Sequence, residues 1–586
     1  MIRRITSLVL LGGGFLSGAG AQGAAQAPRD DAIMRAMRDE LARSIQQLRL
    51  DTLPKPYFIA YRVSENEGHG TSGRLGSLLG AGDSRGGRFL QVEVRVGDYA
   101  FDNTNYFGAG FMPSAFVGFG QLPLDDDYQE LRRQLWLATD HAYKQALEAL
   151  SQKRAALETR SRSDDLADFT HEPVTNTVDD VPHPAAAPNR QVMETLARDL
   201  SATFRTAPEI YTSSVSVSTS WSRTSYLNSE GTSYTRARPH AAVTAQASTQ
   251  ATDGTALSMS YSAPVASLAE LPGRDSLLSA VRGLAARVTE QRHVPLADAY
   301  DGPVLFEGVA AAELFNSIIA GKLVGVRRPV SSPAFAQMVG GGGNDWEDLI
   351  GSLVLPRWMS VVDDPRLRSM DGHPVDNYLV DEDGVTTRAT TVVDHGLLKA
   401  LLTTRTPVTG VDHSTGNRFG GGARPMHVTV TADSALSDEE MRHKLLALAA
   451  AQGRAYGVVV RQLNGSGAST GDDQQAMMAA MMGQQGGGGA TVRGVRVVKL
   501  YADGHEEPMR GAAISGVSAS SFKEIAAASK TRTVHATQFM SGGSFMAGNA
   551  ASGSVTYLIP SLLFANLSLR KPRGTTPKLP VVPPPQ

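Results

Sequence analysis

Hydrophobic positions along this chain alternate between two periods, and the switches between them mark out the elements. Residues 31–50 place Ile33, Met34, Met37, Leu41, Ile45 and Leu48 at three- and four-residue steps, which predicts a helix. A strand follows at Tyr57–Val63, and a glycine-rich stretch from Gly68 to Gly87 is expected to separate it from the next strand. There Leu90, Val92, Val94 and Val96 alternate with Gln91, Glu93 and Arg95, the two-residue period of a half-buried strand. Residues 126–158 return to the helical period through Leu131, Leu135, Ala138, Ala142, Ala146 and Leu150.

The polar, proline-bearing run 161–188 reads as a linker, followed by a short helix near 190–204. Tyr211, Val215, Val217 and Trp221 share one strand parity. Asp253-Gly254 between alternating runs predicts a hairpin spanning 243–261, and residues 267–290 look helical. From 301 the pattern is β-rich. Asp383-Gly384 between 378–380 and 385–393, and Asp503-Gly504 after 495–501, predict two more hairpins. Ser437-Asp438-Glu439-Glu440 is a capping-box sequence for a helix ending near 451, with Gly453 just beyond.

The expectation is a multi-domain α+β protein. It has an α+β N-terminal domain at 22–160, the linker, a β-rich central domain at 189–295 and a β-rich C-terminal domain at 296–570. A low-complexity insertion at 465–490 and a Pro-rich tail at 571–586 complete it. A length of 586 residues suits several domains at about 100–200 residues each.

Charge and composition narrow the function. Fifty-six Lys and Arg against 58 Asp and Glu leave a net charge of −2, so no basic surplus points to nucleic acid. Arg3 and Arg4, the apolar run Ile5–Leu16 and Ala19-Gly20-Ala21 read as a secretory signal peptide over 1–21; its loss takes −2 to −4. The expected location is therefore periplasmic or extracellular. No later window approaches about 18 consecutive apolar residues, so no membrane span is expected. Cysteine is absent, which removes disulfides, thiol nucleophiles and thiolate metal sites.

Several short motifs dissolve on inspection. Gly82-Asp83-Ser84-Arg85-Gly86 fits G-x-S-x-G but lacks the strand before and helix after that a nucleophile elbow requires, and reads as loop. Ser520-Ser521-Phe522-Lys523 fits S-x-x-K without partner elements, since Lys530-Thr531 runs on to Arg532. Met477, Met478, Met481 and Met482 lie in the insertion and read as a loop rather than a soft-metal site. His171-Glu172 and His505-Glu506 lack a second histidine at helical spacing. His373, His395, His413 and His427, with Asp363, Asp364, Asp394 and Asp412, could converge on a metal, although most sit at turn-like positions.

The segment Gly302-Pro303-Val304-Leu305-Phe306-Glu307-Gly308-Val309-Ala310-Ala311-Ala312-Glu313-Leu314-Phe315 resembles the start of the C-terminal domain of the TldD/PmbA (TldD/TldE) family. The resemblance continues through Val361-Val362-Asp363-Asp364-Pro365, Asp381-Glu382-Asp383-Gly384-Val385, Asp394-His395-Gly396-Leu397-Leu398-Lys399 and Thr415-Gly416-Asn417-Arg418, in order and spacing. The first half is similar in layout, including an Asn228-x-x-Gly231 turn. The resemblance implies a peptidase pair in which one subunit type carries zinc on an H-E-x-x-x-H helix, with a distant cysteine as third ligand and the Glu as base. It places Glu307, Gly308 and Ala312 at the His, Glu and His positions, so this chain is similar to the metal-free TldE/PmbA type.

That implies no cofactor in this chain and zinc in a partner. The partner would be a TldD-like zinc-bearing subunit, or further copies in a homo-oligomer, with extended peptides held by strand addition. Two other functions stay open: an active metallopeptidase with a relocated site on His395, His413 or His427, and a non-enzymatic peptide-binding envelope scaffold.

Overall fold

A computed structural model of the chain describes residues 31–107, 120–158, 164–179, 183, 189–331, 344–463, 490–540, 551–571 and 582. The expected signal peptide, the methionine cluster, all of the insertion but residue 490, and all of the tail but residues 571 and 582 lie outside them.

The N-terminal half is built on one sheet of seven strands: β1 (Pro56–Arg74), β2 (Ser77–Val96), β3 (Gly120–Leu122), β4 (Asn176–Asp179), β5 (Thr212–Asn228), β6 (Ser233–Gln250) and β7 (Ala256–Val265). Their order is β3-β2-β1-β5-β6-β4, with β7 paired to β6 beyond the reach of β4. Helices α1 (Ala32–Gln47) and α2 (Tyr128–Glu158) pack Met34, Met37, Leu131 and Leu135 on one end of a sheet face, over Ile59, Tyr61, Val92 and Val94. Helices α3 (Arg190–Ala202) and α4 (Arg274–Gln291) pack Ala197, Leu200, Leu277 and Val281 on the other end, over Val215, Val217, Val243 and Ala245.

Three expectations change here. The glycine-rich stretch is not a separator, because Gly68–Arg74 and Ser77–Gly87 are the far halves of β1 and β2, closed by a turn with Leu75 at φ 47 and Gly76 at φ 76. Glycine lowers strand propensity, but pairing on both sides of β1 overrides it. Ser84 accordingly lies in β2, opposite Gly68, and not on an elbow. The run read as linker contributes β4, parallel to β6, and buries Asp168, Phe169 and Thr170. Finally, β1 pairs with β2 on one edge and β5 on the other, so a single sheet crosses both segments expected to be separate domains.

The C-terminal half carries an eleven-stranded sheet. Its members are β8 (Tyr300–Phe306), β9 (Met359–Asp363), β10 (Thr390–Asp394), β11 (Leu397–Leu398), β12 (His427–Ala432), β13 (Tyr456–Leu463), β14 (Ala490–Tyr501), β15 (Glu506–Met509), β16 (Ala512–Val517), β17 (Ile525–Met540) and β18 (Ser552–Arg570). The order β11-β10-β9-β12-β18-β16-β14-β13-β8 returns on itself where β8 pairs β18, closing a ring of five strands. Helix α5 (Val309–Ile318) packs on one face and α6 (Asp438–Ala451) on the other. Alternate side chains therefore point to different helices: Val304, Phe306, Val458, Val460, Leu562 and Phe564 toward the α5 core, and Leu305, Val459 and Leu563 toward α6. Burial on both faces explains why these strands read as unbroken apolar runs.

The hairpins at Asp253-Gly254 and Asp503-Gly504 form, as does the Ser437–Glu440 capping box. The one expected over 378–393 does not. Asp381 accepts the N–H groups of Asp383 and Val385, and only one bridge, Val380 to Thr386, closes before β10 begins at Thr390. Among the described residues no helix is long and apolar enough to cross a membrane.

Candidate functional site

The resemblance places its zinc motif at the junction of β8 and helix α5. β8 ends at Phe306, Gly308 takes φ 54 at the helix cap, and the helix starts at Val309. Glu307 and Gly308 thus precede the helix, and positions 307, 308 and 312 do not form one helical face. Glu307 bonds Arg461 at 3.0 Å and Arg442 at 3.2 Å, and Glu506 ties the same two arginines at 2.7 and 3.3 Å. Ala312 is packed in the core.

The polar face of α5 is instead Glu313 and Asn316. Glu313 Oε2 accepts the Leu463 N–H at the end of β13 at 2.7 Å, and Oε1 stands 3.9 Å from His535 Nε2 on β17. Its side chain is 11% exposed, and burial pushes its carboxyl up to about 7. Burial pushes the His535 imidazole down. Asn316 donates to the Gln538 carbonyl at 2.9 Å and accepts from the Tyr557 hydroxyl at 2.8 Å. At 3.9 Å the two groups are neighbours without a direct hydrogen bond, and each is shifted by its own burial. Sequence reasoning missed this group: a single Glu in VAAAELFNSI carries no signal, and its partners lie 150 and more residues away.

Zinc, which the family implies, needs three or four N, O or S donors. Asn316 is engaged at both ends and Ser317 bonds the Glu313 carbonyl, leaving Glu313 and His535. Two donors, with the chain devoid of thiols, do not fit a zinc site at α5. The other histidines do not gather either. His395 is exposed at a turn beside Asp394, at 2.7 Å, and Asp433. His413 is exposed beside Asp412. His427 is buried in β12 and bonds the Asp376 carbonyl. Among the described residues no group of three or more His, Cys, Asp or Glu is arranged to hold a metal. Of the His-Glu pairs, His171 stacks on Tyr99, Glu172 accepts from Ser414 N–H, and Glu506 is held by arginines. Ser520 and Lys523 lie in a 3-10 turn where Ser520 bonds Ser518.

The remaining blocks of the resemblance do converge, as architecture. Asp363 is buried and accepts Asn417 Nδ2 and the N–H groups of Met426 and His427; burial raises its carboxyl. Asp381 accepts the Arg418 N–H, and its carboxyl is raised by burial and by neighbouring Asp383, which pairs the Arg418 guanidinium at 3.1 Å. Asp394-His395-Gly396 is the β10–β11 turn, with His395 at φ 46 and Gly396 at φ 79. Several ties join this framework to the N-terminal sheet, among them Arg62 of β1 to the Glu382 carbonyl, Arg236 of β6 to the Val380 carbonyl, and Arg405 to Glu230 through paired bonds of 2.6 and 2.8 Å. Glu230 sits in the Asn228–Gly231 turn, where Asn228 Oδ1 accepts two N–H groups and Gly231 takes φ 98.

Comparison with known proteins agrees with this layout. Residues 301–571 match the PmbA/TldA metallopeptidase C-terminal domain. Three solved structures share the fold. TldE from Thermococcus kodakarensis has a TM-score of 0.55 at 14% identity, covering 92% of this chain and all of that one. A candidate modulator of a DNA gyrase from Thermotoga maritima gives the same values. A candidate modulator of DNA gyrase from Bacteroides thetaiotaomicron has a TM-score of 0.53 at 11% identity, over 92% of this chain and 98% of that one. No curated protein matches. Residues 301–571 thus form a C-terminal domain of the PmbA/TldD metallopeptidase type, on a fold shared with TldE along most of the chain.

Proposed function

We propose that this chain is an exported, metal-free subunit of a TldD/PmbA-type peptidase assembly, shaping a peptide path for a zinc-bearing TldD-like partner. The donor set on α5 carries the reading. The helix that opens the family domain offers Glu313 and Asn316, its core side is alanine, leucine and phenylalanine, and no cysteine exists to complete a zinc site. The retained sheet framework supports a role for the fold in holding extended polypeptide by strand pairing. The leader-like residues 1–21 and the acidic charge of the remainder support export and argue against a nucleic-acid partner.

The test is direct. The purified chain, without residues 1–21, is assayed for zinc content and oligopeptide hydrolysis, alone and mixed with an exported family member bearing H-E-x-x-x-H. Turnover is expected only in the mixture. Stoichiometric zinc with chelator-sensitive turnover by the chain alone would overturn the proposal and return the relocated-site reading to the front.

A further inference from the structure

On one face of the N-terminal sheet the side-chain pattern breaks in the middle. Along β1, Ile59, Tyr61 and Val63 face α1 and α2, and Gly73 is so close beneath α3 that a Cβ there would stand 2.8 Å from the Ala197 carbonyl. Between them the same parity carries Glu65, Glu67 and His69. Across the ladder, Leu227 lies at one end of β5 and Val217 and Val215 at the other, with Arg223, Trp221 and Thr219 between. Among the described residues the two helix pairs cover the two ends of the face and leave a trench with a polar floor between them. It contains two cavities, of about 560 and 320 Å3, that share Glu67, His69, His183 and Trp221. Both fall in the range of ligand sites. The larger is lined by charged groups, and the smaller is walled by Pro239, Ala241, Leu268 and Ala269.

The charges of the larger cavity are matched with one exception. Arg88 pairs with Glu65 and Asp126, Arg223 with Asp31 and Glu65, and Arg190 with Asp83. Among the described residues Glu67 has no Lys or Arg partner; it meets His183 Nε2 at 2.7 Å and His69 Nε2 at 3.2 Å, and an imidazole is a cation only when protonated. His69 turns its other nitrogen to Asp83 at 2.9 Å. Glu67 lies directly across from Trp221 in the β1–β5 ladder. Glu67 is thus held by imidazoles alone, and His183 also meets the Trp221 ring edge-on at 4.7 Å, at the junction of a charged and an apolar compartment.

We propose that this trench binds an extended peptide through a Lys or Arg side chain that takes the place of the His183 ring beside Glu67 and Trp221, with a neighbouring aliphatic residue in the compartment of Pro239 and Leu268. An ammonium or guanidinium supplies the missing charge, and a cation over an indole face gains further in a partly dry site. The adjoining apolar walls select a polypeptide over a lone cation, because only a chain presents both groups side by side. The site is separate from α5 and does not depend on how that helix is read.

The experiment uses the intact chain and a capped pentapeptide, Ala-Leu-Lys-Ala-Ala, with a norleucine-for-lysine isostere as control, followed by calorimetry. Saturable binding of the lysine peptide is expected, with at least about a tenfold loss for the isostere, the size of one charge-assisted contact. Glu67→Gln should weaken the lysine peptide by a similar factor with its unfolding midpoint unchanged, and Trp221→Leu should do the same. Equal binding of the two peptides, or undiminished binding by Glu67→Gln, overturns the proposal. So does an outcome in which zinc binds, dependent on His69 and His183, while the peptide does not.

Discussion

Glu313 makes the stability of this protein depend on pH in a direction opposite to the usual carboxylate. Burial raises its folded-state affinity for a proton from the ordinary 4.5 to about 7. The folded state thus binds the proton more tightly than the unfolded chain. The corresponding stability is fully present below about 4.5 and is lost as pH rises through about 7. At about 1.4 kcal/mol for each tenfold in proton affinity, the whole swing is about 3 kcal/mol, an upper figure because some solvent reaches the site. Glu313→Gln keeps an oxygen for the Leu463 N–H and cannot ionise. Denaturant unfolding of both proteins from pH 4 to 8.5 should give curves that coincide below about 4.5, separate between about 4.5 and 7 and run parallel above, with the variant more stable at high pH. His535, the titratable group facing Glu313 at 3.9 Å, is present in both proteins and largely cancels in the difference. A stability difference that stays flat across this range refutes the assignment of a buried, proton-holding carboxyl.

Two further predictions concern the framework. Arg405 is 1% exposed and Glu230 17%, so Arg405→Met strands a half-covered carboxylate and should cost about 3–5 kcal/mol in chemical unfolding, while adding Glu230→Met should restore much of it; no recovery in the double variant would show that the pair is not the cause. Gly396→Ala should lower the unfolding midpoint more than Gly504→Ala. Both hold positive φ, at a cost of about 1–2 kcal/mol for a side chain, but a Cβ at 396 would meet the Leu355 carbonyl at 2.4 Å whereas 504 faces open space; equal losses would contradict the packing at the β10–β11 turn.

What the sequence made legible depended on whether local signals set the outcome. The capping box at Ser437, the hairpins at Asp253-Gly254 and Asp503-Gly504 and the helical stripes of α1 and α2 are each decided within about twenty residues, and each formed as the pattern predicts. The far halves of β1 and β2 are decided elsewhere: glycine at every second or third position hides the alternation, and the strand exists because β5, more than 140 residues on, pairs with it. The run 164–179 was hidden for the same reason, since its polar side chains are satisfied by distant groups, such as Arg327 for Asp164. At the candidate site the resemblance pointed to the segment of Glu307, Gly308 and Ala312, and Glu313 and Asn316 come into view only because α5 starts at Val309, which fixes the positions that share a helical face.

The blocks that carry the family resemblance prove to be turns and interlayer ties, and this separates fold from chemistry. Asp363, Asp381, Asp383, Asn417 and Arg418 spend their polar atoms on one another and on backbone N–H groups, fixing loops that hydrophobic burial alone would leave undetermined. Breaking any one strands a buried charge, so such a framework resists change whatever α5 carries. Helix α5 is held by fewer polar ties. Its core side is filled by Ala310, Ala311, Leu314 and Phe315, and its polar face meets the surrounding strands at the Leu463 N–H, the Gln538 carbonyl and the Tyr557 hydroxyl. A chain can therefore keep the whole architecture of a peptidase domain while the helix at its centre presents a proton-holding Glu313 and His535.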